Sequence, residues 1–232
     1  MLVLKGLLGG LLNAASFAVF LLVPAGLVAG GTWYWPRALW FLAVYCFIVE
    51  AGIVFLAVLA PASLEARLRR PTSGKQPVAD RIVTATLILS FFAWVAFIPI
   101  DVFHWKLLPA PLFALSACGA VLFLLGFVIT MTAVYQNSFA VPFVEDQTAR
   151  GQVLVDTGLY ARVRHPLYLG MLPFFAGLAL WLESYAALIA TSVLTAVLVA
   201  RIFVEEKILR QTLPGYPEYM QRVRYRLIPF VW

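Results

Sequence analysis

Long apolar stretches, each near the length a helix needs to cross a bilayer, follow one another through almost the whole chain. About 20 predominantly apolar residues span the hydrocarbon core. Stretches of that kind run near 7–29, 38–60, 82–101, 110–134, 166–182 and 185–204. Inside lipid every backbone N–H and C=O must be satisfied within its own segment, so these stretches read as helices. The expected fold is an all-α, polytopic transmembrane helix bundle of about six spans. Composition agrees: 63% of the 232 residues are hydrophobic and 12% are charged, where a soluble domain carries about 25% charged residues. The first stretch, Gly6 to Gly30, exceeds the roughly 7–15 apolar residues of a signal peptide and reads as a retained helix. The last two stretches are joined by little more than Glu183 and Ser184, which predicts a tight turn and an antiparallel hairpin.

The charges orient this bundle. With the N-terminus in the cytoplasm, six crossings place 15 of the 17 Lys and Arg residues inside, leaving only Arg37 and Lys106 outside. Such a bias supports cytoplasmic N- and C-termini. The net charge of +6 is then a matter of topology and anionic headgroups, and no nucleic-acid partner is implied. Cys46 and Cys118 stand alone in apolar runs and read as buried thiols. The only histidines are His104 and His165. Their spacing matches no metal-ligand pattern, so no metal is expected.

Two parts differ in chemistry. Residues 1–134 hold four hydrophobic helices and read as scaffold and lipid contact. Within them the basic 61–81 loop reads as a topology signal, not a binding site. Trp33, Tyr34, Trp35 and Trp40 read as an interfacial aromatic belt, and Glu50 is the one mid-helix acid. Residues 135–232 contain the polar groups: Gln147, Tyr160, Arg164, His165, Tyr168, Arg201, Glu205, Glu206, Tyr216 and Tyr219. The hairpin brings the start of the fifth stretch beside the end of the sixth, so the His165 and Arg201–Glu206 regions converge. Arg201 and Glu205, at i and i+4, share a helix face and suit an ion pair. Glu206 and Lys207 read as solvated beyond the membrane. Pro166 suits a first helical turn, which turns free N–H groups and a positive dipole end toward His165, a place for a carboxylate.

The segment Gly158-Leu-Tyr160-Ala-Arg162-Val-Arg164-His165-Pro166-Leu167-Tyr168-Leu-Gly170 closely resembles the signature of the isoprenylcysteine carboxyl methyltransferase family, G-x-Y-x-x-x-R-H-P-x-Y-x-G. That family is related to the phospholipid N-methyltransferases. The resemblance continues in Gln152-Val153-Leu154-Val155, in Arg201-x-x-x-Glu205-Glu206, in Gly215-Tyr216-x-x-Tyr219 and in Arg226-Leu-Ile-Pro229. It covers roughly 137–232. One departure is Tyr225, where the family often has Pro.

The resemblance implies an integral membrane methyltransferase that uses S-adenosylmethionine, taken from the cytoplasm, and a lipophilic or prenylated acceptor taken from the bilayer. It implies cofactor contacts at Gln147, Gln152, Val153, Leu154, Val155, Tyr160, His165, Pro166, Leu167, Tyr168 and Glu205. It assigns Arg201 to the acceptor, with Arg201 and Glu205 as the catalytic pair. Physical chemistry is consistent with these assignments. Glu205 suits a positive group, His165 and the helix start a carboxylate or ribose, and the tyrosines an adenine or sulfonium. A carboxylate acceptor is ionised at neutral pH and needs orientation, not a base; an amine must first lose a proton. An isoprenylcysteine-like carboxylate is therefore the expected acceptor. The alternatives are a phospholipid amine, a sterol-type reductase and a non-catalytic transporter.

Overall fold

The computed structural model describes residues 1–69, 76–141 and 151–232. They form α1 (Leu2–Leu27), α2 (Pro36–Leu59), the short α3 (Pro61–Leu68), α4 (Val78–Ile100), α5 (Phe113–Gln136), α6 (Pro166–Trp181), α7 (Tyr185–Thr212) and α8 (Tyr216–Arg222). A π-helical turn, Asp101–Trp105, prolongs α4, and a 3₁₀ turn occupies Gly158–Ala161. Prolines stand in the first turn of α2, α3, α6 and α8, where a missing N–H costs nothing. No strand occurs among the described residues.

Five of these helices, α1, α2, α4 with its π turn, α5 and α7, are long and apolar enough to cross a membrane. The sixth expected span differs. α6 has 16 residues, about 24 Å at 1.5 Å per residue, which is short of a hydrocarbon core of about 30 Å. Pro166 begins it, and the turn through Glu183, whose φ is +68°, ends it. α7, by contrast, runs on past residue 204 to Thr212.

What seats α6 is a glycine seam with α5. Between helices in lipid there is little solvophobic drive, so close backbone approach matters more than large apolar side chains. Gly119 and Gly126 on α5 face Gly177 and Gly170 on α6, in antiparallel order. A Cβ added at Gly126 would lie 2.6 Å from the Gly170 carbonyl oxygen and 2.8 Å from Phe174 Cα; one at Gly119 would lie 2.6 Å from the Trp181 nitrogen. α4 and α7 are also antiparallel: Asp80 meets Arg201 at one end, and Trp94 Nε1 donates to the Ala187 carbonyl at the other. One apolar core joins both halves of the chain, with Phe17, Phe41, Phe123, Leu178, Leu194 and Leu198 all buried in it.

The α6–α7 turn is tied down by polar groups that the sequence does not advertise. Ser184 Oγ accepts from the Ala187 N–H at 2.9 Å and donates to Asp101 Oδ2 at 2.6 Å. Arg37 reaches Glu183 at 2.9 Å. Here also lie Trp33, Tyr34 and Trp40, all exposed, but Trp35 turns inward, 6% exposed, and packs edge-on against Phe103. Cys118 is exposed rather than buried, and Cys46 is half-buried.

Glu50 lies on α2 beside Gly10 of α1. Both its carboxyl oxygens are buried without a hydrogen-bond partner among the described residues. Replacing an unanswered buried carboxylate by an apolar side chain of similar length should be neutral to about 2 kcal/mol stabilising. Glu50→Met is therefore expected to melt no lower than wild type in detergent. At the seam, Gly126→Ile forces side-chain atoms into backbone. It should cost roughly 3 kcal/mol or more, seen as a large fall in melting temperature, whereas an unchanged melting curve would contradict the close approach.

Candidate active site

The site is built where the starts of α4 and α6 meet the ends of α5 and α7. The 3₁₀ turn is pinned first: Gly158 has φ +60° and sits against the Gln136 side chain, whose Oε1 accepts from the Leu159 N–H at 2.9 Å. This delivers Tyr160 into the interior, where its own carbonyl accepts from the Tyr219 hydroxyl at 2.8 Å. The next residues pair with the tail like a short ladder. The Arg164 and His165 N–H groups donate to the Tyr225 and Arg226 carbonyls, both at 2.9 Å. α6 then begins at Pro166, with His165 as its N-cap residue.

Glu206 organises this corner. It is 1% exposed, which corrects the expectation that it is solvated. Arg164 Nε donates to its Oε1 at 2.7 Å and Arg226 Nε to its Oε2 at 3.0 Å. His165 Nε2 lies 3.4 Å from Oε1, and Arg210 lies 3.8 Å from Oε2. Arg164 Nη1 also donates to the Val223 and Arg224 carbonyls at 2.8 and 3.1 Å. A buried carboxylate persists only where cations and hydrogen bonds offset its lost hydration, and the loop, α7 and the tail each supply a share.

One helical turn away, Arg201 and Glu205 are joined through a third residue. The Tyr168 hydroxyl accepts from Arg201 Nε at 2.7 Å and donates to Glu205 Oε2 at 2.6 Å. The Tyr168 ring stacks on His165, with centroids 5.6 Å apart. Two α4 residues complete the setting. Arg201 Nη1 hydrogen-bonds Thr84 and lies 3.6 Å from Oδ1 of Asp80. Asp80 is fully buried and accepts from Gln76 at 2.6 Å. The sequence marks neither Asp80 nor Thr84. Their i, i+4 spacing puts them on one face of α4, but that this face meets Arg201 depends on how α4 and α7 pack.

These groups border a cavity of about 510 Å³, within the range of small-molecule sites. Gln152, Val153, Leu154, Val155, Tyr160, His165, Pro166, Leu167, Tyr168, Arg201 and Glu205 all line it. Gln147 lies outside the described residues. The first four apolar stretches contribute more than scaffold: Tyr45 of α2, Thr84, Leu87 and Phe91 of α4, and Phe127 of α5 also line the cavity. So does Arg67, from the loop read as a topology signal. Burial pulls its guanidinium down to about 10, partly offset by Tyr160. Burial also raises the Tyr160, Tyr216 and Tyr219 phenols, so all three stay protonated at neutral pH.

Along α4 and α6 the lining changes from Thr84 and Tyr168 near the helix starts to Leu87, Phe91, Phe92, Met171, Phe174 and Phe175 further into the bundle, while Leu154, Leu209 and Leu213 also line the part nearer the helix ends. Such a cavity suits a polar reactant at one end and a lipophilic one at the other.

Residues 115–214 match the family model described as phospholipid methyltransferase. The match begins in α5 and ends just beyond α7, so it takes in the 3₁₀ turn, the His165–Pro166 helix start, Arg201, Glu205 and Glu206. No curated protein matches the chain.

Removing the charge of Glu206 leaves Arg164 and Arg226 buried against a neutral group. Glu206→Gln is therefore expected to cost about 3–5 kcal/mol and to release the tail. Faster limited proteolysis after Arg222, Arg224 or Arg226, together with a lowered melting temperature, would be the readout; an unchanged cleavage pattern would contradict the role given to this carboxylate.

Proposed function

We propose that this membrane methyltransferase, whose residues 115–214 belong to the phospholipid methyltransferase family, transfers a methyl group from S-adenosylmethionine to the carboxylate of a lipophilic, isoprenylcysteine-like acceptor. The observation that carries the reading is one cavity that holds the hydrogen-bonded Arg201, Tyr168 and Glu205 together with the aromatic side chains of Phe91, Phe174 and Phe175.

The residues present fit the cofactor. Glu205 offers a carboxylate to its positive groups, Tyr160 and Tyr168 offer aromatic faces, and the α6 start and the 152–155 segment offer N–H groups and apolar packing. The cofactor, when bound, supplies an electrophilic methyl group on a sulfonium. Everything else falls to the chain. Arg201 orients the acceptor carboxylate, and Asp80 and Thr84 hold Arg201 so that its planar fork is already aimed. Leu87, Phe91, Phe174 and Phe175 hold the acceptor's lipophilic part and exclude water, which strengthens each polar contact.

Proton chemistry favours the carboxylate over an amine. The only imidazole at the cavity, His165, has its Nε2 turned to Glu206, and Glu205 already accepts from Tyr168. Neither is placed as an unengaged base, and a carboxylate acceptor requires none. A phospholipid amine is the second reading, favoured by the description of the matching family model. The motif and the charge bias support a site that opens to the cytoplasm.

Radiolabelled methyl transfer to prenylcysteine and to phosphatidylethanolamine separates the two readings. Base-labile label in the prenylcysteine product is expected; stable label in the phospholipid alone would replace the first reading with the second. Arg201→Ala should lower turnover by roughly 100-fold, the loss of a charge-assisted contact of about 3 kcal/mol, with the protein still folded. Glu205→Gln should mainly weaken cofactor binding. Unaltered activity in both variants would refute the assignment of these roles.

A further inference from the structure

Arg67 carries a charge that no described acid answers. Its side chain, on α3, lines the same cavity as Val134, Asn137 and Tyr160. The guanidinium donates to two backbone carbonyls, Ser63 O at 2.9 Å and Ala140 O at 2.5 Å. Among the described residues it has no carboxylate partner. The other two arginines that line the cavity do: Arg164 meets Glu206 at 2.7 Å and Arg201 lies 3.6 Å from Asp80. A half-buried guanidinium held by neutral acceptors alone retains a charge that an anion can answer.

The same cavity holds the opposite charge. Glu205 lines it, with Oε2 engaged by Tyr168. Burial raises the Tyr160 phenol, with Glu205 adding to the rise and Arg67 opposing it. A cation and an anion that line one cavity match a ligand that itself carries both charges.

We infer that Arg67 and Glu205 clamp a zwitterionic α-amino acid group, with Arg67 taking its carboxylate and Glu205 its ammonium. Resting on the function proposed above, that group is the amino acid end of S-adenosylmethionine. The carboxylate then goes to Arg67 rather than to the α6 start. α3 and the loop that carries it become part of the cofactor site, although they lie outside the stretch matched by the family model.

The test is calorimetric titration of the full-length protein in detergent with two probes: S-adenosylhomocysteine, and its decarboxylated analogue, which keeps the ammonium. Arg67→Met should bind S-adenosylhomocysteine roughly 10–100-fold more weakly than wild type, the loss of one charge-assisted pair. It should bind the decarboxylated analogue as well as wild type does, which also shows that the variant is folded. Arg67→Lys should recover part of the loss. An equal loss for both probes would make Arg67 a structural residue and overturn the clamp. No loss for S-adenosylhomocysteine, with a raised KM for a phospholipid acceptor, would also overturn it and make a lipid phosphate the anion. Wild type that binds both probes equally defeats the clamp alone, whereas wild type that binds neither defeats the cofactor reading with it.

Discussion

A carboxylate withdrawn from water at the end of a membrane helix must be met by cations, and Glu206 draws them from three parts of the chain. Arg164 comes from the loop before α6, Arg226 from the tail and Arg210 from the next turn of α7. Each partner brings backbone with it. Because Arg164 is held, its own N–H and that of His165 pair with the tail, and α6 starts where it does. Because α6 starts there, Tyr168 falls between Arg201 and Glu205. The cavity's polar end is thus positioned by an ion-pair cluster that the substrates need not touch.

The same logic explains why the cavity is not the property of one part of the chain. An arginine facing an apolar wall needs an acid behind it, and Asp80 and Thr84 of α4 supply that setting for Arg201. The glycine seam between α5 and α6 lets a helix too short to span the bilayer on its own stand deep in the bundle, with its polar start still at the helix ends. Large side chains at Gly119, Gly126, Gly170 or Gly177 would push α6 outward and carry His165 and Tyr168 with it.

Much of this was legible in the residues. Apolar length marked the helices, Pro166 marked the start of α6, and Glu183-Ser184 marked the hairpin. The motif from Gly158 to Gly170, with Arg201 and Glu205, supplied Tyr160, His165, Tyr168 and the Arg201–Glu205 pair to the cavity, but much of the remaining lining comes from elsewhere. What misled was local context. Glu206 beside Lys207 at the end of an apolar run looks solvated, and the loop and tail that bury it lie about 40 and 20 residues away. Arg67 among Arg69 and Arg70 looks like part of a charge bias. Trp35 between Tyr34 and Pro36 looks like its interfacial neighbours, and only the packing of Phe103 against it shows that it faces inward.

The sequence by itself determined that the chain is a helical membrane protein with one polar corner, because bilayer length, backbone satisfaction and charge bias are all properties of contiguous residues. It also determined which methyltransferase-like motif occupies that corner. Only the tertiary structure decided which charges answer one another: Glu206 with the tail, Arg201 with Asp80, and Arg67 with none of the described acids. In a low-dielectric interior a charge is defined by what lies within a few ångströms of it, and those neighbours are set by helix packing rather than by position along the chain.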